Sequence, residues 1–143
     1  MRHNGWAYGC GLLLLLAALL LASGCAKPTF SVVEKRVCAG VDGAGNPQQE
    51  KTTFAPADGR VCLWFRYRNA AAGQVIKAKF THVDEVGNES AQDFEIKLNA
   101  GSHTGVAELT GENGGPLTPG RYTAEIQNQS GVAYGPALAF NVQ

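Results

Sequence analysis

The chain has 143 residues, and its 12 lysines and arginines balance its 12 aspartates and glutamates. This length favours one domain, and a charged share of 17% is too small for a disordered chain or a long helical rod. Beyond residue 24 the chain keeps 11 basic and 12 acidic side chains, because Arg2 is the only charge before that point. This balance excludes a polybasic surface for nucleic acid.

The chain opens with the three parts of an export signal. Arg2 supplies the positive start, residues 12–21 form an apolar core of leucine and alanine, and the small residues 22–24 precede Cys25. The core is about half of the roughly 20 residues that cross a bilayer as a helix. An uncleaved membrane anchor is the alternative, because residues 4–26 carry no charge. Whether this segment is a cleaved signal or an uncleaved anchor, the rest of the chain is exported.

The end of this segment resembles the lipobox of bacterial lipoproteins, in which a leucine and two small residues precede a cysteine. Leu21 lies one position early here, since Ala22 takes the usual place of the leucine. The resemblance implies cleavage after Gly24 and a Cys25 that carries acyl chains such as palmitate, and two or three such chains make a stable anchor. Because Ala26 is not aspartate, the resemblance further implies the outer membrane, facing the periplasm.

Two cysteines, Cys38 and Cys62, remain in the exported domain once Cys10 leaves with the signal and Cys25 takes lipid. An oxidising compartment favours a disulfide between them, and closing a loop of about 25 residues contributes roughly 3.5 kcal/mol by the chain-entropy estimate. A redox or metal pair is the alternative, but the spacing is not CxxC and no histidine lies nearby in sequence. We therefore predict a structural disulfide.

Beyond residue 29 the apolar residues recur with a period of two, separated by turns rich in Gly, Pro, Asn and Asp. This alternation is typical of antiparallel strands with one face exposed to water. The segments predicted as strands are residues 30–41, 52–54, 60–68, 74–83, 91–99, 104–110, 121–128 and 137–142. Seven or eight strands in about 115 residues predict an all-β antiparallel sandwich. The predicted organisation is a signal peptide at 1–24, a lipidated tether at 25–29 and one domain at 30–143.

Alternation also assigns side chains to faces. The third predicted strand has Val61, Leu63, Phe65 and Tyr67 on one face and Cys62, Trp64, Arg66 and Arg68 on the other. The first has Val33, Val37, Ala39 and Val41 opposite in parity to Cys38. If these two strands pair antiparallel, both cysteines lie behind one continuous apolar face, so the disulfide and the hydrophobic pattern predict the same register.

Residues 117–122 (LTPGRY) resemble the tyrosine corner of Greek-key sandwiches, in which a tyrosine at the start of a late strand bonds back to the preceding loop. Leu117 and Gly120 would frame this turn, and Tyr122 would begin the strand. Together with the apolar run at 138–142, the motif is similar to the last two strands of immunoglobulin-like or fibronectin type III-like domains. The resemblance implies an immunoglobulin-like β-sandwich.

Reactive side chains are scarce in this domain. His82 and Asp84 could share a strand face and His103 could complete a metal site, but no ligand motif supports it and a polar strand end is the interpretation we adopt. Ser102 and His103 point to opposite faces and form no dyad. An acidic cluster lacks the spacing of a calcium loop; its members are Asp84, Glu85, Glu89, Asp93 and Glu95. We therefore expect no metal, no cofactor and no catalytic residues.

The polar face of the middle strands is the predicted binding surface. If residues 60–68 and 74–83 form a hairpin, Trp64 would lie among the cations Arg66, Arg68, Lys77 and Lys79. An exposed tryptophan among cations can stack on a sugar or meet an anionic polymer. The structural alternative is that Trp64 covers the cysteines or is buried by a loop.

The sequence as a whole predicts a lipid-anchored, exported and non-catalytic binding or envelope-structural module. Its expected partners are the membrane and an envelope protein or glycan, and not nucleic acid. A small periplasmic hydrolase or metal-dependent enzyme is the alternative. A cleft with convergent polar groups would favour the enzyme, and a flat or edge-strand surface would favour the binding module.

Overall fold

The computed structural model describes residues 26–143. The predicted signal peptide and the acylation of Cys25 lie outside the described residues. Residues 26–29 are exposed and lead into the first strand without regular structure. In the described part of the chain, no helix has the length and apolar character needed to span a bilayer.

Nine strands and two 3-10 turns make up the secondary structure of residues 26–143. The strands are β1 (Ser31–Val41), β2 (Pro47–Glu50), β3 (Thr53–Phe54), β4 (Arg60–Ala70), β5 (Val75–Val83), β6 (Glu89–Lys97), β7 (Gly101–Thr110), β8 (Gly120–Gln127) and β9 (Leu138–Val142). The turns span Pro56–Asp58 and Glu112–Gly114. Eight of the strands overlap predicted segments. The exception is β2, whose sequence Pro-Gln-Gln-Glu is largely exposed and has no apolar alternation.

The strands form two sheets that face each other as an immunoglobulin-like sandwich, which confirms the predicted fold class. The first sheet has the order β2-β1-β4-β7 and the second has the order β3-β9-β8-β5-β6. All neighbouring strands pair antiparallel except β3 and β9, which pair parallel. β6 and β7 therefore form the two sheet edges on one side of the sandwich.

The core lies between the sheets and is apolar. The inward face of β4 is the one that alternation predicts, and Val61, Leu63, Phe65 and Tyr67 are at most 2% exposed. Facing strands contribute Ile76, Ala78, Phe80, Ala124, Ile126 and Phe140. Each large side chain removed from water contributes about 1.5–3 kcal/mol, so this layer dominates the stability of a domain of this size.

A β-bulge in β1 changes the predicted faces of that strand. The β1–β4 register shifts between Val32 and Glu34, which turns Val33 outward, with 42% of its surface exposed. Val32 packs against the core in its place. Val41 packs against a second, smaller cluster on the outer side of the first sheet rather than in the core. Simple alternation placed Val33 wrongly because a bulge inserts one extra residue and resets the period. Val41, the last residue of β1, departs from the core although Val37 and Ala39, of the same parity, belong to it.

The predicted hairpin between residues 60–68 and 74–83 is wrong. The strands β4 and β5 lie in different sheets, and residues 71–74 cross from one sheet to the other, with the Gln74 N–H bonded to the Ala71 carbonyl oxygen at 3.1 Å. Both strands bury an apolar face in the same core. Two strands in opposite sheets meet this requirement as well as two strands of one hairpin do, so the hydrophobic pattern does not distinguish them.

The sandwich has two ends, which we call the tether end, where residues 26–30 lead into β1, and the distal end, opposite to it. At the tether end, β1 begins with Ser31 opposite Arg68, near the last residue of β4. At the distal end, β4 begins with Arg60 opposite Thr110, the last residue of β7. An extended strand rises about 3.3 Å per residue, and β4 has 11 residues. The two ends are therefore roughly 35 Å apart.

Candidate functional site

Trp64 is buried, which corrects the predicted binding surface. Its side chain is 6% exposed, and its indole Nε1 donates a hydrogen bond to the Gly45 carbonyl oxygen at 2.8 Å. The loop between β1 and β2 thus covers the ring, and the Arg36 guanidinium lies 6.0 Å from the ring centroid. Trp64 closes a small cluster with Cys38 and Cys62, so it does not offer a stacking face to a ligand.

The four cations predicted beside Trp64 do not form one patch. Arg66 and Arg68 lie on β4 in the first sheet, whereas Lys77 and Lys79 lie on β5 in the second. The β5–β6 register also places a carboxylate of β6 opposite each lysine. The structure therefore separates the residues of the predicted surface, because the hairpin that would have joined them is a crossing between sheets.

Cys38 and Cys62 face each other on β1 and β4 in the register that the sequence predicts. The structure holds them as buried free thiols and not as the predicted disulfide. The two sulfurs turn to different acceptors: Cys38 Sγ lies 3.7 Å from the Cys62 carbonyl oxygen, and Cys62 Sγ lies 3.7 Å from a Glu108 carboxylate oxygen. Burial raises the pKa of Cys38. Burial and, next, the Glu108 carboxylate raise the pKa of Cys62 to about 12. Such thiols are poor nucleophiles at neutral pH.

The residues weighed as a metal site do not converge. His82 lies in the second sheet, with Nε2 3.0 Å from the Pro119 carbonyl oxygen. His103 lies in the first sheet, with Nε2 3.0 Å from the Ala100 carbonyl oxygen. Among residues 26–143, no group of three or more histidines, cysteines and carboxylates is placed to hold a metal ion.

The acidic cluster is built around a turn. Asp84 Oδ1 accepts hydrogen bonds from the backbone N–H groups of Val86 at 3.0 Å and Asn88 at 2.8 Å. Hydrogen bonds from the side chain and backbone of Asn88 lower the pKa of Asp84. Asp42 makes the same arrangement with Asn46 at the same end of the sandwich. Asp84 therefore serves as the acceptor of a turn, which is the ordinary role of such a residue.

A cleft of about 520 Å³ opens at the distal end, beside the edge strands β6 and β7. Its volume lies in the range of small-molecule sites, about 300–1,000 Å³. Aromatic and polar side chains line it together, among them Phe80, His82, Gln92, Glu112, Thr118 and Tyr122. The cleft departs from the flat or edge-strand surface expected for a binding module.

Two of the rings that line this cleft, those of His82 and Tyr122, belong to a longer aromatic row. His82, Tyr122 and Phe140 occupy one register row across β5, β8 and β9. The His82 and Tyr122 ring centroids are 4.5 Å apart, and those of Tyr122 and Phe140 are 5.0 Å apart, with both pairs stacked. Because a carbonyl oxygen only accepts, the contact with Pro119 places the neutral imidazole proton on Nε2. The row fixes the His82 ring at the mouth of the core.

The tyrosine-corner motif supports the same region. Tyr122 donates a hydrogen bond from its hydroxyl to the Thr118 carbonyl oxygen at 2.8 Å, which is the bond that residues 117–122 predict. Leu117 is 2% exposed. Gly120 has a φ of 146°, and a Cβ there would overlap the His82 ring. The corner thus holds the aromatic row and the loop beside it in one arrangement.

The loop at the rim of the cleft is tied to the neighbouring turn. The Leu117 N–H donates to the Pro56 carbonyl oxygen at 2.9 Å, and the Gly111 N–H donates to the Gly59 carbonyl oxygen at 3.2 Å. A Cβ at Gly111 would overlap the backbone of the same loop. These contacts fix the rim before any ligand binds, which lowers the entropic cost of binding.

Sequence reasoning missed this cleft. It singled out His82 and Tyr122 separately, one as a polar strand end and the other as a structural corner. The available signal was parity: His82 continues the inward series Ile76, Ala78 and Phe80, so a polar ring at an inward position marked the mouth of the core. The pairing of β5 with β8, which brings the rings together, required the topology.

Comparison with known proteins identifies the fold of this chain but no family. No protein-family model matches the sequence, and no curated protein does. Among solved structures, an immunoglobulin-like protein from Pseudomonas aeruginosa is similar with a TM-score of 0.56 at 14% identity, over 82% of this chain and 99% of that one. This likeness supports the immunoglobulin-like fold that the sequence predicts.

Two further solved structures match with TM-scores below 0.5. A Niemann-Pick type C2 protein from the Japanese carpenter ant has a TM-score of 0.46 at 9% identity, over 83% of this chain and 96% of that one. A β-glucosidase from Listeria innocua has a TM-score of 0.47 at 12% identity, over 80% of this chain and 16% of that one.

Proposed function

We propose that this chain is an exported bacterial lipoprotein whose immunoglobulin-like domain is a non-catalytic binding module held at the outer membrane by acylated Cys25. The supporting observation is the placement of the cleft relative to the tether. Five residues separate Cys25 from Ser31, which span about 20 Å when fully extended. The tether end therefore stays near the bilayer, and the cleft lies roughly 35 Å further out.

The lining of the cleft suits a neutral glycan. The half-buried His82 ring supplies an aromatic surface, and Gln92 and Thr118 supply amide and hydroxyl groups beside it. Sugar rings present a C–H face that stacks on aromatic rings and hydroxyls that pair with such side chains. Glu112 is the one carboxylate among the residues lining the cleft, so an anionic polymer fits it less well. The binding surface of this proposal replaces the predicted one around Trp64.

Titration of the purified mature protein with soluble cell-wall glycan fragments tests the binding function. Gln92→Leu should weaken saturable binding at least about tenfold, because the bound glycan loses the hydrogen-bond partner that the exposed Gln92 amide would supply. Asp93→Asn is the matched control, since it lies next to Gln92 on β6 and points to the opposite face. Absence of saturable binding by every fragment, or equal effects of the two variants, would overturn the glycan assignment.

Acylation is tested independently by the intact mass of protein isolated from membranes. We expect the mass of residues 25–143 plus the mass of the acyl chains, and we expect Cys25→Ser to remove the protein from the membrane fraction. A mature mass without lipid contradicts the anchor.

A small hydrolase remains the second candidate, and two observations favour it: the cleft itself, which is the feature expected of an enzyme, and a pair of residues that line it. His82 and Ser90 are register partners on β5 and β6, and both line the cleft. Catalysis requires the nucleophile within hydrogen-bond reach of its base, whereas among the described residues the His82 ring bonds to Pro119 and not to Ser90. Turnover of ester or glycoside substrates that Ser90→Ala abolishes would establish the enzyme and displace the binding module.

A further inference from the structure

We propose that the tether end of the domain is a docking surface for anionic phospholipid headgroups, so that the domain stands on the membrane with its cleft pointing outward. The inference rests on the proposed acylation of Cys25, which would deliver this end to the bilayer. The observation behind it is that charge is divided between the two ends of the sandwich.

The tether end carries cations and no carboxylate of its own. Its strand ends and loops are residues 26–33, 68–76, 96–104 and 126–138, and these segments contain no aspartate or glutamate. They contain Lys27 in the exposed tether, Arg68 opposite the first residue of β1, and Lys97 at the end of β6. The Lys97 side chain lies over the turn at Gly73, whose added Cβ would be 3.4 Å from Lys97 Cε.

A fourth cation reaches the same end from within β1. Lys35 Nζ donates hydrogen bonds to the carbonyl oxygens of Tyr134 at 2.8 Å and Pro136 at 2.5 Å, in the loop between β8 and β9. The nearest carboxylate on β1, Glu34, is paired with Arg36 and Arg66 at 2.5 and 2.7 Å. Two further carboxylates lie just inside this end: Glu125, whose charge acts on Lys35, and Glu95, opposite Lys77. Lys27, Arg68 and Lys97 lie closer to the end than these carboxylates, so the end itself is basic.

Exposed apolar side chains accompany these cations. The described residues include three large hydrophobic side chains that are exposed, and two of them are at or near this end. Val132 lies in the loop between β8 and β9 with 63% of its surface exposed, and Val33 lies near the start of β1 with 42% exposed. Cations beside exposed apolar side chains are the combination that interfacial membrane contacts use.

The distal end has the opposite charge. Its loops and strand ends carry six carboxylates, Asp42, Asp58, Asp84, Glu85, Glu89 and Glu112. The cations in the same region are Arg60, Arg121 and Lys51, and Lys51 is paired with Asp58 at 2.7 Å. The ends are about 35 Å apart, and charges are screened over about 8 Å at physiological ionic strength. The carboxylates therefore do not weaken attraction at the tether end, and they oppose the inverted orientation.

The expected strength follows from the number of cations. Each lysine or arginine near an anionic surface strengthens attachment by about fivefold at moderate salt. Lys27, Arg68 and Lys97 together would favour the docked orientation by about a hundredfold. Loss of two of them should lower that preference by about 25-fold.

Hydrogen exchange of the acylated mature protein in vesicles tests the orientation. Vesicles of phosphatidylcholine with phosphatidylglycerol should slow exchange of the backbone amides in residues 71–74 and 128–137, relative to vesicles of phosphatidylcholine alone. High salt should remove the difference, because the attraction is screened. The variant Arg68→Glu with Lys97→Glu should also remove it.

A variant with the same change in charge at the other end is the control. Arg60→Glu with Arg121→Glu should leave the protection intact, and urea unfolding of both double variants checks that each is folded. Protein that floats with both kinds of vesicle but exchanges equally in both would overturn the docking surface and leave the lipoprotein proposal standing. If the mature protein isolated from cells is found to carry no acyl chains and floats with neither kind of vesicle, the lipoprotein proposal is overturned instead.

Discussion

Cys38 and Cys62 face each other across β1 and β4, and neither side chain has any exposed surface. Because burial raises the pKa of both thiols, that of Cys62 to about 12, we expect slow alkylation of the native protein at about pH 8. Iodoacetamide labelling followed by mass spectrometry measures this, with the urea-unfolded protein as reference. Equal rates in the two states would contradict the buried, protonated pair.

The same thiols make the reduced protein sensitive to alkaline pH. A thiol with a raised pKa binds its proton more tightly in the folded state, so unfolding is favoured where the unfolded thiol has lost it. This contribution to stability is intact below the ordinary pKa of 9.0 and is lost as the pH rises toward about 12. Urea unfolding in this range should show a steeper loss for the wild type than for Cys62→Ala. Parallel curves would contradict the assignment.

Trp64 should act on stability and not on ligand binding. Trp64→Ala removes the cover of the cysteine cluster and should lower the free energy of unfolding by about 3–5 kcal/mol. Trp64→Phe retains most of the packing and loses the bond to Gly45, which should cost about 1 kcal/mol. Urea denaturation measures both. Loss of glycan binding in a folded Trp64→Phe protein would show that the indole has a role at the surface.

The Tyr122 hydroxyl should stabilise the fold by about as much as one hydrogen bond does. Tyr122→Phe leaves the stacking in place and leaves the Thr118 carbonyl oxygen without its partner, so the free energy of unfolding should fall by about 1–2 kcal/mol. Tyr134→Phe is the control, because within residues 26–143 the Tyr134 hydroxyl makes no hydrogen bond. Equal unfolding free energies for the two variants would exclude a stabilising corner.

Gly120 should tolerate no side chain. Its φ of 146° disfavours other residues, and a Cβ would overlap both the His82 ring and the Val83 carbonyl oxygen. Gly120→Ala should destabilise the protein by at least about 1–3 kcal/mol. Gly43→Ala, where a Cβ would meet nothing within 4 Å, should change stability by less than about 0.5 kcal/mol. Thermal unfolding of the pair measures the contrast.

The fold was predictable where side chains alternate. The inward face of β4 and the pairing of Cys38 with Cys62 follow from parity, because one face of each strand enters a continuous core. β2 was missed because neither of its faces is apolar. Val33 was misplaced because a bulge is a local insertion that leaves no mark on composition.

The site was not predictable to the same degree. Trp64 was expected on a polar face, and its parity was right, but the loop that carries Gly45 folds over it. Lys77 and Lys79 were joined to Arg66 and Arg68 by proximity in sequence, whereas β4 and β5 belong to different layers. The cleft depends on strands distant in the chain, since His82 and Tyr122 meet only through the pairing of β5 with β8. A single sequence contains no direct record of such long-range pairing.

The chain enters the sandwich at Ser31, and β1 then pairs with β4 along nearly its whole length. Tension applied between an anchored Cys25 and a partner held at the far end would act parallel to these strands. The hydrogen bonds between β1 and β4 would then be loaded in shear and would have to break together, which resists rupture far better than peeling them one at a time. The pairing of β1 with β4 would therefore resist extension along the long axis of the domain.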